Sequence, residues 1–289
     1  VQTIVDDLNK KIVGRKIIGV WFDAPKLIKK PKPTELEKRI KGLKIISIKR
    51  RGKNILIYLT NNYLLLIHQK LTGHLLYGKW SFGYAQDKQK PKVKSLIKGS
   101  LEEKVNNYIH LIFYLDNGWQ LALSDLRKFA KILFGLKEEI EKLPDLTKLG
   151  PEPLDKNFTV DKFIELIKLK KGKIKQVLMD QETIVGIGNI YSDEILWTAK
   201  IHPLRPPNKL TKEELKALYF AMIKILKKAV KLRGTSISDY RDTAGKVGGY
   251  VKIRKVYQRE GESCQRCKTP IKRVRIGGRS AHYCSKCQK

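Results

Sequence analysis

The chain's four cysteines stand close together near its end, as Cys264-Gln-Arg-Cys267 and Cys284-Ser-Lys-Cys287. Two C-x-x-C knuckles separated by 16 residues have the spacing of a zinc ribbon, in which four thiolates hold one tetrahedral Zn²⁺. Disulfides are the alternative, but nothing else in the sequence suggests secretion. Between the knuckles, Ile271-Lys-Arg-Val-Arg-Ile276 alternates like a strand, Gly277-Gly278 supplies a hairpin turn, and Ala281-His282-Tyr283 returns. Arg279 then stands at the mouth of a metal-stiffened hairpin, a position suited to probing a groove of DNA. So small a finger cannot bury a core of its own, and the metal is expected to fold it. A metal that merely staples the C-terminus is the plainer reading of this stretch taken alone.

Charge narrows the partner. The 61 basic and 28 acidic residues give a formal net charge of +33, which calls for a polyanion: nucleic acid first, an anionic membrane second. Arginines number 14, leaving 47 lysines, and a lysine excess can also follow genome composition or solubility. Charge thus supports nucleic-acid binding without locating a site. No run is long enough to span a membrane, and the expected setting is the reducing cytoplasm. At 289 residues the chain can form two domains, each able to bury a core.

Val1 to Val13 reads as an amphipathic helix ended by Gly14, with Val1, Ile4, Val5, Leu8 and Ile12 on one stripe. Stretches rich in Ile, Val, Tyr and Leu then read as strands: 16–23, 44–50, 53–60, 63–68, 108–115 and 119–124. A short helix between them carries Thr34 and Glu37 as a capping box and Gly42 as its stop. Short strands joined by tight turns predict a β-sandwich. Residues 84–104 are lysine-rich and non-periodic, and read as a surface loop.

Leu149-Gly-Pro-Glu-Pro-Leu154 reads as a domain boundary. Helical patterns follow over 159–170, 172–180, 190–200 and 212–233, the last with Thr211 and Glu214 as a capping box. Residues 235–250 form a Gly/Ser/Thr-containing loop long enough for a function, with a plain linker as the alternative. Gly186-Ile-Gly-Asn189-Ile-Tyr191 joins two helices. Asn189 is placed to cap the second, with Asp193 and Glu194 in its first turns favourable to the helix dipole, and such a helix start offers amide donors to a phosphate.

Together these segments resemble the formamidopyrimidine-DNA glycosylase family over essentially the whole length. The matching stretches are Arg50-Arg-Gly-Lys53, Leu71-Thr-Gly-His74, Asp125-Leu-Arg-Lys-Phe129, Leu149-Gly-Pro-Glu-Pro-Leu154, Val185-Gly-Ile-Gly-Asn-Ile-Tyr191, Ile201-His-Pro203, and the ribbon with Arg279 five residues before Cys284. The resemblance implies an α+β multidomain protein. Its β-sandwich with a flanking helix would occupy 1–149. A helical helix–two-turns–helix domain would occupy 150–257, including a lesion-capping loop at 235–250, and a zinc-ribbon finger 258–289. It implies removal of oxidised purines from duplex DNA, bound between the two main domains, by base flipping. Leu71 and Phe129 would be apolar wedges in the vacated stack, and Arg127 would pair with the orphaned base. The family usually has Met where Leu71 stands and often Arg where Lys128 stands. Lys53, Asn189 and Arg279 would grip phosphates around the lesion, with Tyr108 also among the DNA contacts. Cys264, Cys267, Cys284 and Cys287 would hold one structural Zn²⁺. The five histidines are left as structural. The partner would be double-stranded DNA with oxidised bases or abasic sites, met by a monomer with no membrane association.

One feature departs from the family. Members begin with a Pro-Glu pair whose proline amine attacks C1′ and forms a Schiff base that drives β- and δ-elimination, with Glu aiding proton transfer. This sequence opens at Val1-Gln-Thr-Ile, so the pair is expected in residues ahead of Val1. Three rival readings stand beside this one: an endonuclease VIII-like enzyme for oxidised pyrimidines, a non-catalytic binder of lesions or abasic sites, and a zinc-ribbon RNA-associated protein.

Overall fold

Helix α1 (Gln2–Ile12) buries Ile4, Val5, Leu8 and Ile12, the stripe read from the sequence, and leaves its polar face outward. It belongs to a core shared by two sheets. The first is four-stranded and antiparallel, in the order β1 (Ile17–Phe22), β9 (Ile109–Leu115), β10 (Gln120–Asp125), β6 (Gly73–Gly78). The second is five-stranded: β2 (Ile28–Lys30), β11 (Lys131–Leu136), β5 (Tyr63–His68), β4 (Asn54–Leu59), β3 (Ile45–Arg51). Only β2 runs parallel to its neighbour. Ile17, Leu111, Phe113, Leu121 and Leu123 from one sheet and Ile45, Ile57, Leu65, Ile67 and Phe134 from the other lie in a single apolar cluster with α1. This is the expected sandwich.

The chain is described here by a computed structural model covering residues 1–83, 92–237 and 239–289. It forms two units, Val1–Leu143 with Arg233–Gly249, and Pro144–Leu232 with Tyr250–Lys289. Several elements differ from the sequence expectation. Helix α2 (Pro33–Ile40) starts at Pro33, with Lys32 as its cap residue and no side-chain cap bond, so the Thr34 box does not form. Proline's fixed φ suits the first helical position. Strand β6 was not foreseen. Strands β2 and β11 escaped as well. Of the stretch 84–104, residues 84–91 lie outside the described residues. The remainder is not a plain loop: β8 (Lys92–Ser95) pairs antiparallel with β7 (Trp80–Gly83). Around this hairpin a second cluster, Trp80, Leu101, Ile109 and Ile112 with Trp21 and Phe82, covers the other side of the four-stranded sheet.

Helix α3 (Lys137–Glu141) closes the first stretch of the sandwich unit, and α4 (Pro144–Thr147) opens the helical one. Helices α5 (Val160–Lys168), α6 (Ile174–Met179), α7 (Asn189–Ala199) and α8 (Lys212–Lys231) share one core, including Phe163, Ile174, Ile195, Leu218 and Met222. Thr159 caps α5, and the Thr211–Glu214 box forms as read. The ribbon hairpin pairs β12 (Ile271–Ile276) with β13 (Arg279–Cys284). The loop after α8, assigned from sequence to the helical domain, packs within the sandwich unit as Arg233–Gly249.

Candidate nucleic-acid interface

On the sandwich unit, the β5–β6 and β10–β11 turns carry the three proposed gap fillers. Leu71 and Phe129 are 57% and 52% exposed, so neither is the ordinary core residue that an apolar side chain usually becomes. The guanidinium of Arg127 lies over the Phe129 ring, 4.6 Å from its centroid, and pre-orders both groups. Beneath them, the buried Asp125 carboxylate braces the two turns against each other. It accepts from the Thr72 hydroxyl through Oδ1 and from the Ala130 N–H through Oδ2 at 2.7 Å. The Thr72 oxygen in turn accepts the Arg127 N–H at 3.2 Å. Gly73 is obligatory here, because a Cβ would meet the Gln69 carbonyl oxygen at 2.4 Å. Tyr108 is half-buried next to this brace, its carbonyl accepting the Asp125 N–H at 2.8 Å.

Lys53 sits in the β3–β4 turn beside the front of α1. Arg50 ties the two, donating from Nε to Gln2 Oε1 at 2.8 Å and from Nη1 to the Gly52 carbonyl at 3.0 Å. The start of α1 therefore lies near Lys53.

On the helical unit, Gly188 rather than Asn189 caps α7; Asn189 is the first helical residue. Its Oδ1 is buried with no hydrogen-bond partner among the described residues. The turn ahead of it is set by Gln181, whose Nε2 donates to the Met179 and Ile187 carbonyls and whose Oε1 accepts the Gly186 N–H at 2.9 Å. The Leu149–Leu154 motif is more than a boundary, since Gly150 N–H bonds Gln181 O at 2.9 Å and Val185 N–H bonds Pro151 O at 3.2 Å.

Asp193 and Glu194 do not serve the helix dipole as read from sequence; both are buried anchors. Asp193 pairs with the buried Lys175 through Oδ1 and accepts His282 N–H at 2.8 Å through Oδ2. Lys175 also donates to the Ser280 carbonyl at 2.8 Å. Burial lowers the Lys175 ammonium, and Asp193 offsets part of that. This network joins the α7 turn to the hairpin carrying the exposed Arg279, so Asn189 and Arg279 are held on one connected scaffold. Glu194 accepts N–H groups of Lys255, Val256 and Tyr257 at 2.8 to 3.1 Å. Burial raises its carboxyl, and those three bonds oppose the shift. Sequence reasoning missed this support, because a buried Lys–Asp pair carries no spacing signature.

The four cysteine sulfurs lie within 4.8 Å of one another, with Cys267–Cys284 at 3.4 Å and Cys264–Cys287 at 4.0 Å. A tetrahedral zinc with Zn–S bonds of about 2.3 Å sets its sulfurs about 3.8 Å apart, whereas a disulfide needs about 2.05 Å. The donor set therefore fits one zinc ion. Trp197 of α7, Val256, Ile271, Cys264 and Cys284 form a small core there, and Arg266 stacks 3.7 Å from the Trp197 ring centroid. The finger thus borrows its core from α7. None of the five histidines joins the sulfur cluster among the described residues: His74 faces Asn106, His110 faces Asp23 and His282 faces Asp193.

Three family models match in order: the formamidopyrimidine-DNA glycosylase N-terminal domain at residues 1–132, its H2TH domain at 149–241, and the zinc finger found in FPG and IleRS at 261–289. The formamidopyrimidine-DNA glycosylases of Desulforamulus reducens and Bacillus cereus are 37% and 36% identical, over all of this chain and 97% of each relative. Among solved structures, a Lactococcus lactis Fpg bound to DNA containing an abasic site aligns with a TM-score of 0.84 at 31% identity, covering 100% of this chain and 97% of that one. The same protein bound to Fapy-dG DNA aligns with a TM-score of 0.83 at 30% identity, over 100% and 98%. A further Lactococcus lactis complex holds DNA containing an oxidized pyrimidine, with a TM-score of 0.83 at 30% identity, over 100% and 97%. The sandwich, helical and ribbon regions thus match three models in one order, and this chain belongs to the formamidopyrimidine-DNA glycosylase family.

Proposed function

We propose that this protein is a base-excision repair DNA glycosylase that removes oxidised purines, 8-oxoguanine and formamidopyrimidines, from duplex DNA, and that it then cuts the strand as an abasic-site lyase in the bacterial cytosol. The observation that carries this reading is the exposure of Leu71, Arg127 and Phe129 on two turns cross-braced by Asp125 and Thr72. Flipping a base costs a few kcal/mol of stacking and pairing. Burying two large apolar side chains in the gap returns about 1.5–3 kcal/mol each if burial is complete. The two amounts are comparable, so wedge insertion can hold the everted state open.

Lys53, Asn189 and Arg279 grip the phosphates flanking the lesion, and Asn189 acts with the amides that open α7. Arg127 hydrogen-bonds the base left behind. In this family's chemistry the nucleophile is a proline α-amine. Unprotonated, it attacks C1′ and the base departs with its bonding electrons. Loss of the amine proton and opening of the C1′–O4′ bond, with O4′ taking up a proton, give an iminium that acidifies the C2′ proton, and β- then δ-elimination releases the two phosphates. When bound, zinc braces the finger and takes no part in these steps.

Borohydride trapping with the natural full-length protein tests this directly. A covalent adduct on 8-oxoguanine duplex is expected. Tight binding of that duplex without an adduct would mark a non-catalytic lesion binder instead, and faster trapping on oxidised pyrimidines would shift the substrate class.

A further inference from the structure

An extended ionic network on the sandwich unit touches none of the proposed DNA contacts. It joins α1 to the loop after α8. Arg233 stands just past that helix at φ +59, in the left-handed region that side chains with a Cβ rarely occupy. Its guanidinium grips two carboxylates at once. Nη1 and Nη2 donate to Asp7 Oδ1 and Oδ2 at 3.1 and 2.6 Å, while Nη2 and Nε donate to Asp242 Oδ2 at 2.7 and 3.1 Å. The side chains of Asp7 and Asp242 are only 13% and 5% exposed. Thr243 extends the network, its hydroxyl donating to Asp7 Oδ2 at 3.0 Å and accepting from Lys11 Nζ at 2.9 Å. Asp242 Oδ1 shapes the loop itself, taking the Ala244 and Lys246 N–H groups at 2.9 and 3.0 Å.

The rest of the loop is held more lightly. Its ends cross at a neck where a Cβ on Gly248 would meet the Gly234 backbone at 2.4 Å. Farther out, Tyr77 N–H bonds Thr243 O at 2.8 Å and Arg241 pairs with Glu103 at 3.2 Å. Beneath the tip, Ala244 and Lys246 border a cavity of about 500 Å³ together with Lys11, Tyr77, Leu101 and Trp119.

We infer that Asp7, Arg233 and Asp242 form a latch seating loop 235–250 on α1. The latch thereby seats on α1 the loop that closes over an everted base. The inference rests on the reading of this loop as the lesion cover. The three side chains are positioning residues, and none reaches substrate.

The test uses full-length protein with its native N-terminus and the variants Arg233→Ala, Arg233→Lys and Asp242→Asn. Hydrogen exchange of residues 239–248 is measured beside single-turnover excision of 8-oxoguanine and cleavage at a preformed abasic site, where no base needs covering. Arg233→Ala should speed exchange and slow excision by about tenfold each, while abasic-site cleavage stays within about twofold. Arg233→Lys should recover part of both losses. Unchanged exchange, or equal loss on the two substrates, overturns the latch. If Arg233→Ala fails to fold, Asp242→Asn, which keeps the Asp7 pair, must show the same split or the latch is wrong. Deleting 239–246 checks the parent reading separately. If excision survives that deletion, the loop is no lesion cover, and the exchange data alone decide whether the latch exists.

Discussion

Phe129 and Leu71 keep more than half of their surfaces in water, and each forgoes about 1 kcal/mol of burial by doing so. A sandwich with so many buried Leu and Ile could have tucked them in; the Asp125–Thr72 brace holds them out. Arg127 shares the exposed site, stacked on Phe129. Arg127→Ala is therefore expected to cost discrimination between bases opposite the lesion by about 1–3 kcal/mol while changing overall affinity less. Excision rates across the four opposite bases check this, and a uniform loss would contradict the pairing role. Asp7 offers an acid-sensitive counterpart. Burial pushes its carboxyl up, but the Arg233 and Thr243 hydrogen bonds outweigh burial and leave it below the ordinary 3.8. A depressed carboxyl stabilises the fold above its unfolded pKa and loses that contribution as pH falls through the folded one. Wild type should exceed Asp7→Asn by roughly 1 kcal/mol near neutrality and lose that advantage as pH falls below 3.8. Denaturant unfolding at a series of pH values measures it, and a pH-independent gap would refute the assignment.

At the scale of elements, the parts legible in the sequence are those whose signal is local. The α1 stripe, the Thr211 box, the Gly277-Gly278 turn and the cysteine spacing all name their own structure. Elements that depend on distant partners were misread. Strand β8 exists because β7 pairs with it, and Asp193 and Glu194 looked like dipole companions because Lys175, His282 and residues 255–257 are far along the chain. Asn189 was read as a cap, yet Gly188, extended at φ −123 and ψ −172, takes that place. Leu71 and Phe129 could be named as candidate wedges from the family resemblance, but their exposure could not be read from composition. The four-thiolate site was legible in the cysteine spacing, whereas the finger's use of Trp197 as core was not. Stripping zinc with a chelator should raise hydrogen exchange throughout 261–289 and at the end of α7, abolish strand cutting, and leave exchange in β3–β5 unchanged. Loss of protection in those strands would show that the sandwich unit depends on the metal.

For the whole molecule, a charge of +33 provides long-range attraction to DNA but no address. The proposed address is a few braced side chains on each unit. Arg279→Ala and Asn189→Ala should each weaken binding similarly on damaged and undamaged duplex. Arg279→Ala should also reduce the slope of log affinity against log salt by about 1, the loss of one cationic phosphate contact, whereas neutral Asn189 should leave that slope nearly unchanged. An unaltered slope for Arg279→Ala would move that residue off the phosphate backbone. The central claim, that these supports serve excision of an oxidised purine, is tested most directly by single-turnover release of free base from an 8-oxoguanine·cytosine duplex by the natural full-length protein. The account predicts stoichiometric release of 8-oxoguanine and none of guanine from the matched undamaged duplex; firm binding of the damaged duplex with no base released would contradict it.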